Sequence, residues 1–148
     1  MTTLDVAYLS QQILNLAPDA ILFADQQGII RLWNRGAEEI FGFTAEEALG
    51  QSLDLIIPER LRAAHWEGYH RVMASGETRY GSDLLSVPAL HRDGHQISCE
   101  FSIVMLKDGA GKLLGIASIL RDVSARRERE KALKDQIAAY KNQLSNNR

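Results

Sequence analysis

An alternating run of apolar and polar side chains at residues 96–106 constrains the fold more than any other feature of the chain. Because successive side chains of a β-strand point to opposite faces, this period of two predicts a long strand with one face against a core. The apolar face carries Ile97, Cys99, Phe101, Ile103 and Met105. The chain must therefore build a sheet that is covered on one side.

Four further strands are indicated by short apolar runs that end at turn residues. They lie at residues 20–24, 29–33, 79–90 and 113–120. Tight turns are predicted at residues 92–94, which read Arg-Asp-Gly, and at the glycine-rich residues 107–112. Pro88 has no amide proton, which predicts that its strand lies at an edge of the sheet or carries a bulge.

Helices are predicted between the second and the third strand. Asn34 is a suitable N-cap for a short helix that Gly42 ends. Thr44 and Glu47 have the spacing of a capping box at the start of the next helix. A longer helix follows over residues 60–74. Strands on both sides of a helical insert predict an α+β fold in which an antiparallel sheet packs against helices.

The chain divides into three segments. We predict an N-terminal amphipathic helix at residues 1–17, a central domain at 18–123 and a C-terminal helix at 124–148. The last segment repeats an apolar residue at heptad spacing, at Leu133, Ile137, Tyr140 and Leu144. Because about two heptads are marginal as an isolated helix, we expect residues 4–16 and 125–144 to pair with a second copy of the chain.

Charge and composition exclude several classes of protein. The chain has 17 Lys and Arg residues against 19 Asp and Glu residues, which excludes a broad basic surface for nucleic acid. The charged run at residues 126–131 alternates in sign, which is typical of a solvated helix. No apolar run approaches the ~20 residues that cross a bilayer, and the N-terminus lacks the basic region of a signal peptide. We therefore expect a cytoplasmic protein that contacts neither a membrane nor nucleic acid.

Catalytic motifs are missing from the sequence. It contains no G-x-S-x-G, no phosphate-binding loop and no H-E-x-x-H, so we expect no enzyme. Its single cysteine, Cys99, excludes a disulfide framework and a cysteine-rich metal site. Because Cys99 falls on the predicted core face, we expect it to be an inert packing residue.

Short motifs along the central segment resemble the PAS domain of bacterial sensor proteins. They are Ala17-Pro-Asp-Ala-Ile-Leu, residues 25–28, Trp33-Asn34, Ala37-Glu-Glu-Ile-Phe-Gly42, Leu49-Gly50, Ile57-Pro-Glu59, Arg92-Asp-Gly94 and Arg121-Asp-Val-Ser124. The resemblance covers residues 17–124 and implies a five-stranded antiparallel sheet with flanking helices. It also implies a sensory or dimerisation module, a homodimer formed through the flanking helices, and an output partner or domain such as a histidine kinase. The sequence after residue 124 has no pattern that predicts a kinase or a cyclase domain.

One branch of the family, the oxygen-sensing haem proteins, matches residues 58–103 without gaps. This resemblance implies that haem b binds between the sheet and the long helix, with His65 as the iron ligand. It implies that Arg71 and Arg79 contact the haem propionates, since arginine binds carboxylates well. The site implied in this way comprises His65, Tyr69, Arg71, Arg79, Tyr80, Leu85, Phe101 and Ile103.

The chain departs from that branch at two positions. Leu85 stands where the branch has an arginine that donates to bound oxygen, and leucine donates no hydrogen bond. An apolar distal wall suits CO, NO or redox sensing better than oxygen binding. Trp66 follows His65, where a small polar residue is more usual.

A flavin is not expected as the cofactor. The light-sensing branch of the family carries its reactive cysteine in the segment that matches residues 51–60, which has none here. Cys99 lies on a different predicted element. Trp33 or Trp66 would line a flavin that binds without photochemistry, but we expect both to be ordinary core or surface residues.

Two functions stay open at the level of the sequence. One is a sensor that holds haem or another small ligand between the long helix and the inner sheet face at Phe101, Ile103, Ile116 and Ser118. The other is an interaction module with a packed interior and no ligand. They differ in whether His65 faces a cavity or solvent.

The other histidines suggest no site. His70 is five residues after His65 and falls on a different face of the helix. His91 and His95 bracket the predicted turn at residues 92–94, where we expect them to be solvated. Two ligands alone make a poor metal site, so no metal other than haem iron is expected.

Overall fold

The computed structural model describes residues 4–78, 80–81 and 83–147 of the chain. Its strands are β1 (Ala20–Asp25), β2 (Ile30–Trp33), β3 (Leu85–Leu90), β4 (Gln96–Lys107) and β5 (Leu113–Asp122). Its α-helices are α1 (Val6–Leu16), α2 (Arg35–Phe41), α3 (Ala45–Ala48), α4 (Glu59–Ser75) and α5 (Ser124–Asn146), and a 3-10 helix spans Leu53–Ile56. The predicted α+β class and the five-stranded sheet are confirmed.

The five strands form one antiparallel sheet in the order β2-β1-β5-β4-β3. The first and the last strands of the chain therefore lie side by side in the middle of the sheet. β3 is an edge strand, as Pro88 predicts, because a residue without an amide proton cannot support a second neighbour. β3 and β4 form a hairpin in which Leu90 pairs with Gln96.

The register fixes the face of the sheet that the helices cover. Ser118 of β5 lies opposite Leu22 on one side and Ile103 on the other, so these three side chains share the inner face. Cys99 lies further along that face and is fully buried. The alternation in residues 96–106 thus reports the inner and the outer face of β4, as predicted.

Asn34 is the polar residue that joins three elements of the core. Its side-chain oxygen accepts from the amides of Ala37 and Ile21, at 2.9 and 2.8 Å, and so caps α2 and binds β1. Its side-chain nitrogen donates to the carbonyl oxygens of Leu14 and Asp19. This one buried amide therefore holds the end of α1 against the sheet, with all its hydrogen-bonding groups satisfied.

The predicted strand over residues 79–90 is too long. The strand begins at Leu85, because a turn precedes it in which the amide of Asp83 donates to the carbonyl oxygen of Tyr80 at 2.9 Å. Gly81 in this turn has φ +56°, a left-handed conformation that glycine adopts without steric cost. Arg79 and Ser82 lie outside the described residues.

The terminal helices flank the sheet and keep their apolar residues exposed. α1 and α5 contain no buried residue. α5 begins at Ser124, whose hydroxyl accepts from the amide of Ser98 at 2.9 Å, while the amide of Val123 donates back to the Ser98 carbonyl. These bonds attach the start of α5 to β4. Among the described residues, no helix is long and apolar enough to cross a membrane.

Candidate functional site

The long helix α4 presents one side to the sheet. Tyr69 is its one buried residue. Half-buried side chains recur at intervals of three or four residues on both sides of Tyr69, at Leu61, Arg62, His65, Trp66, Val72 and Met73. Because this spacing follows the helical period, these residues form a single stripe. His65 therefore lies on the side of α4 that faces the interior of the fold.

Tyr69 anchors the middle of this stripe to β1. Its hydroxyl lies 2.5 Å from the carbonyl oxygen of Asp25 and 3.2 Å from that of Ala24. Burial, together with the nearby Asp25 carboxylate, raises the pKa of the Tyr69 hydroxyl above its ordinary value. The hydroxyl therefore stays protonated and acts as a hydrogen-bond donor to the sheet.

Trp66 anchors the same helix to the turn between β1 and β2. Its indole nitrogen donates to Oδ1 of Asp54 at 2.7 Å. The ring lies directly over Gly28, where a Cβ atom would come within 2.1 Å of the indole. Gly28 also has φ +75°, so both its backbone and its lack of a side chain are required here. Trp66 is thus a packing residue with a satisfied polar atom.

His65 lies between these two aromatic anchors. Its ring centroid is 4.8 Å from that of Trp66 and 5.7 Å from that of Tyr69. Its Nδ1 atom is buried and has no hydrogen-bond partner among the described residues. Burial lowers the pKa of His65 below its ordinary value; the Asp54 carboxylate opposes this shift, and His70 adds to it. The ring is thus a neutral imidazole whose inner nitrogen lacks the bond that a buried polar atom normally makes.

The inner face of β4 is apolar and incompletely covered. Phe101, Ile103 and Met105 on the inner face of β4 are each half-buried, whereas Leu120 of β5 is buried. Leu85 of the edge strand pairs with Phe101 and is also half-buried. Small-ligand sites are lined mainly by apolar side chains with a few polar groups, and this is the chemistry that these residues and His65 together offer.

Two other residues predicted for the site, Arg71 and Tyr80, lie at exposed positions. Arg71 lies on the exposed side of α4, where its guanidinium is 3.2 Å from Glu67, so it is not presented to the inner face. Tyr80 lies in the turn before β3 and is 38% exposed. Arg79 lies outside the described residues, so its predicted contact with a propionate stays a prediction.

Two surface clefts lie away from His65. One, of about 410 Å³, runs between the start of β4 and the first turns of α5, beside Ser98 and Arg127. The other, of about 250 Å³, lies at the ion pair between Asp19 and Arg121. Neither is lined by a residue of α4.

Cys99 takes no part in the site. It is fully buried, and burial with the neighbouring Asp122 raises the pKa of its thiol to about 12. Because a thiol rather than a thiolate is present at neutral pH, Cys99 is a poor nucleophile.

Two features of this region were not predicted from the sequence. Asp54 accepts the indole proton of Trp66 and also receives Arg62, which donates to the Asp54 carbonyl oxygen at 3.2 Å. No local spacing signals a contact between residues 54 and 66. One sequence feature could have indicated the packing of Trp66 on Gly28. A glycine at the end of a turn indicates either a positive φ or the close packing of another residue on its backbone.

Comparisons with known proteins agree with this architecture. The sequence model of the PAS fold family matches residues 14–128. The sensor protein FixL of Bradyrhizobium diazoefficiens is 30% identical over 99 residues, which are 67% of this chain and 20% of that protein. The oxygen sensor protein DosP of Escherichia coli is 26% identical over 110 residues, which are 74% of this chain and 14% of that protein. The chain thus spans a fifth or less of the length of the curated relatives that it matches.

A solved structure shows the same fold. The crystal structure of a PAS domain from Colwellia psychrerythraea superposes with a TM-score of 0.72 at 24% sequence identity, and covers 82% of this chain and 99% of that chain. The match of the family to residues 14–128 includes the whole sheet and α4. The chain belongs to the PAS fold family and is a PAS sensory domain homologous to sensor proteins.

Proposed function

We propose that this PAS domain holds a small ligand between α4 and the inner face of β4 and transmits the occupancy of that site to its terminal helices. The observation that carries the proposal is the buried Nδ1 atom of His65, which has no partner among the described residues. An unsatisfied buried polar atom costs about 1–3 kcal/mol, and a ligand that binds it would remove that cost.

Haem b is the ligand that we favour. A neutral, half-buried imidazole on α4 is a suitable axial ligand, and the apolar side chains of Phe101, Ile103 and Leu85 suit a porphyrin face. When bound, haem would supply an iron that takes a diatomic gas. Two relatives are named as sensors, one of them as an oxygen sensor, which supports the same class of ligand. Leu85 offers no hydrogen bond to bound oxygen, so we expect CO or NO to be bound in preference.

A ligand-free interaction module is the second candidate. It is favoured by the contacts of His65 with Trp66 and Tyr69, which occupy part of the space beside the ring. It is also favoured by the apolar residues of α1 and α5, such as Ile13 and Leu133, which are 68% and 58% exposed. Such stripes are typical of surfaces that bind a second helix.

The path that we propose from the site to α5 runs along β4. β4 carries Phe101 at the site and, three residues earlier, Ser98, which binds Ser124 and Val123 at the start of α5. A shift of β4 against β5 would therefore move the first turn of α5. In the homodimer that we propose, this movement changes the pairing of the terminal helices and so reaches an output partner, such as a histidine kinase.

An absorption spectrum tests the ligand. We would compare the parent chain, the His65→Ala variant and the matched His70→Ala variant, each expressed with ample haem precursor and then titrated with haem. We expect a Soret band in the parent and in His70→Ala, and its loss in His65→Ala with an unchanged circular dichroism spectrum. An equally strong band in His65→Ala contradicts ligation by His65. A parent that stays colourless after titration contradicts haem and favours the ligand-free module.

A further inference from the structure

The hairpin that joins β3 to β4 places two histidines and an aspartate around one point. His91, Asp93 and His95 each direct a ligand atom into this group, and the three atoms lie within 4.8 Å of one another. The rings of His91 and His95 stack with centroids 4.7 Å apart. Nδ1 of His91 is 3.2 Å from Oδ1 of Asp93, and Nδ1 of His95 contacts the same oxygen. The sequence alone suggested two ligands; the turn adds the third.

The backbone of the hairpin holds this group in place before any ion arrives. The amide of His91 donates to the carbonyl oxygen of His95, and the amide of Gly94 donates to that of His91, each at 2.9 Å. Gly94 has φ +92°, which closes the turn in a conformation that suits glycine. The amide of Arg92 donates to the carbonyl oxygen of Phe41 at 2.8 Å, which fixes the hairpin to the end of α2.

Packing also sets the direction of the His91 ring. A Cβ atom at Gly42 would lie 2.7 Å from both Cε1 and Nε2 of His91, so that edge of the ring lies against the Gly42 backbone. The opposite nitrogen, Nδ1, is therefore the one turned toward Asp93. It accepts a 3.2 Å hydrogen bond from the Asp93 amide, which a metal ion would replace.

The surrounding charges do not oppose a cation. The nearest cationic side chain, Arg92, points to Glu47 and binds it at 2.6 Å, so its charge is already paired. Asp93 is exposed and contributes one carboxylate to the group. An ionised carboxylate and two imidazoles are the ligand set that Zn²⁺ accepts.

We propose that His91, Asp93 and His95 form a site for a divalent transition-metal ion of the Zn²⁺ class, with water in the remaining position. Neighbouring ligand atoms of a tetrahedral zinc ion lie about 3.3 Å apart for bonds of about 2.0 Å. His91 Nδ1 and Asp93 Oδ1 are 3.2 Å apart, whereas His95 Nδ1 contacts the same oxygen more closely, so the His95 ring would turn away from Asp93 when an ion binds. Imidazole nitrogen favours Zn²⁺, Cu²⁺ or Ni²⁺ over Mg²⁺ or Ca²⁺. A bound ion would close the β3–β4 hairpin at the end opposite to Leu85.

Calorimetric titration of the tag-free 148-residue chain with Zn²⁺ tests the site. We expect one ion per chain, and a loss of affinity of at least about tenfold in His95→Gln and in Asp93→Asn. The matched control is Asp108→Asn, because Asp108 also caps a hairpin turn, through the amides of Ala110 and Lys112, and has no histidine beside it. Its affinity for Zn²⁺ should equal that of the parent.

Further measurements distinguish this site from other modes of binding. The His65→Ala/His70→Ala double variant should keep the parent affinity, and the imidazole NMR signals of His91 and His95 should shift on addition of Zn²⁺. Three results would overturn the proposal: no binding by the parent, equal affinity in His95→Gln and the parent, or half an ion per chain with dimer formation. The last result indicates an ion that bridges two chains. Because the test does not involve haem, its outcome is independent of the ligand proposed at His65.

Discussion

The hydroxyl of Tyr69 lies 2.5 Å from the carbonyl oxygen of Asp25, and this contact ties the centre of α4 to the last residue of β1. One turn earlier on the same helix, Trp66 rests on Gly28 and donates to Asp54. α4 is thus held at the end of β1 and at the β1–β2 turn. His65, whose Nδ1 has no hydrogen-bond partner among the described residues, is held in place by these two anchors.

Replacement of Tyr69 by phenylalanine tests the first anchor. The ring is kept, but the carbonyl oxygens of Asp25 and Ala24 lose the Tyr69 hydroxyl as a donor, and the Asp25 oxygen keeps only the Gly28 amide. We expect the free energy of unfolding to fall by about 1 to 2 kcal/mol, because one buried hydrogen bond is lost and its acceptors are not resolvated. Urea denaturation measures the change. The control is Tyr8→Phe on α1, where the side chain is 47% exposed, and its expected change is within about 0.5 kcal/mol. Equal changes in the two variants would contradict the anchoring role.

Gly28→Ala tests the second anchor, with Gly76→Ala as its match. Both glycines have a left-handed backbone, with φ +75° and +70°, so alanine adds a similar strain of about 1–2 kcal/mol at each. Only at Gly28 would the new Cβ meet a neighbour, the Trp66 ring at 2.1 Å. We expect Gly28→Ala to be the more destabilised by about 1 kcal/mol or more, because Trp66 must give up its bond to Asp54. The fluorescence of Trp66 should shift to the red in Gly28→Ala alone.

The buried imidazole of His65 predicts a pH dependence of stability. Burial lowers the folded-state pKa of His65 below its value of about 6.5 in an unfolded chain. Below that pH the unfolded chain binds a proton that the folded chain resists, so stability is lost as the pH falls from about 6.5 toward the folded-state pKa. His65→Gln has no such proton. The free energy of unfolding of the parent, relative to His65→Gln, should therefore decrease between pH 7.5 and pH 5. A difference that is constant with pH would show that the ring is solvated.

Most strands and helices could be predicted from the sequence because the signals for each involve residues that are close together in the chain. The period of two at residues 96–106 is a property of β4 alone, and the cap at Asn34 and the capping box at Thr44 each lie within one turn of helix. Pro88 predicts an edge strand because the missing amide proton concerns one residue. Each of these signals depends only on a residue and its close neighbours in the sequence, so it does not require knowledge of the folded chain.

The candidate site was less predictable because it depends on the direction in which each side chain of α4 points and on contacts between residues that are far apart in the sequence. A change of one position turns a helical side chain by about 100°. The inward direction of His65 depends on the bonds of Tyr69 to β1 and of Trp66 to Asp54 in the 3-10 helix, which no local pattern predicts. Arg71 was expected near the ligand and instead pairs with Glu67 on the exposed side. The start of β3 was misplaced because the turn around Gly81 interrupts a sequence that otherwise has strand character.

We predict that the terminal helices pair two chains into a homodimer and that charged side chains introduced on α5 dissociate it. Leu133 and Ile137 lie four residues apart on α5 and are 58% and 53% exposed, so a single chain leaves this apolar seam in water. A second copy would bury it, with a gain of about 25 cal/mol per Å² of apolar surface. The double variant Leu133→Glu/Ile137→Glu places four like charges in the paired seam, and we expect it to be a monomer where the parent is a dimer. Light scattering after size exclusion gives the mass of each.

The matched control for this prediction is the double variant Ala138→Glu/Asn142→Glu. It adds two charges at the same spacing of four residues, but on the side of α5 that the seam does not include. We expect it to remain a dimer, because its new carboxylates stay in water. A parent that is monomeric at every concentration would contradict the seam on α5, and so would a dimer that survives both double variants. In the second case the exposed apolar residues of α1, among them Leu9 and Ile13, would be the next surface to change.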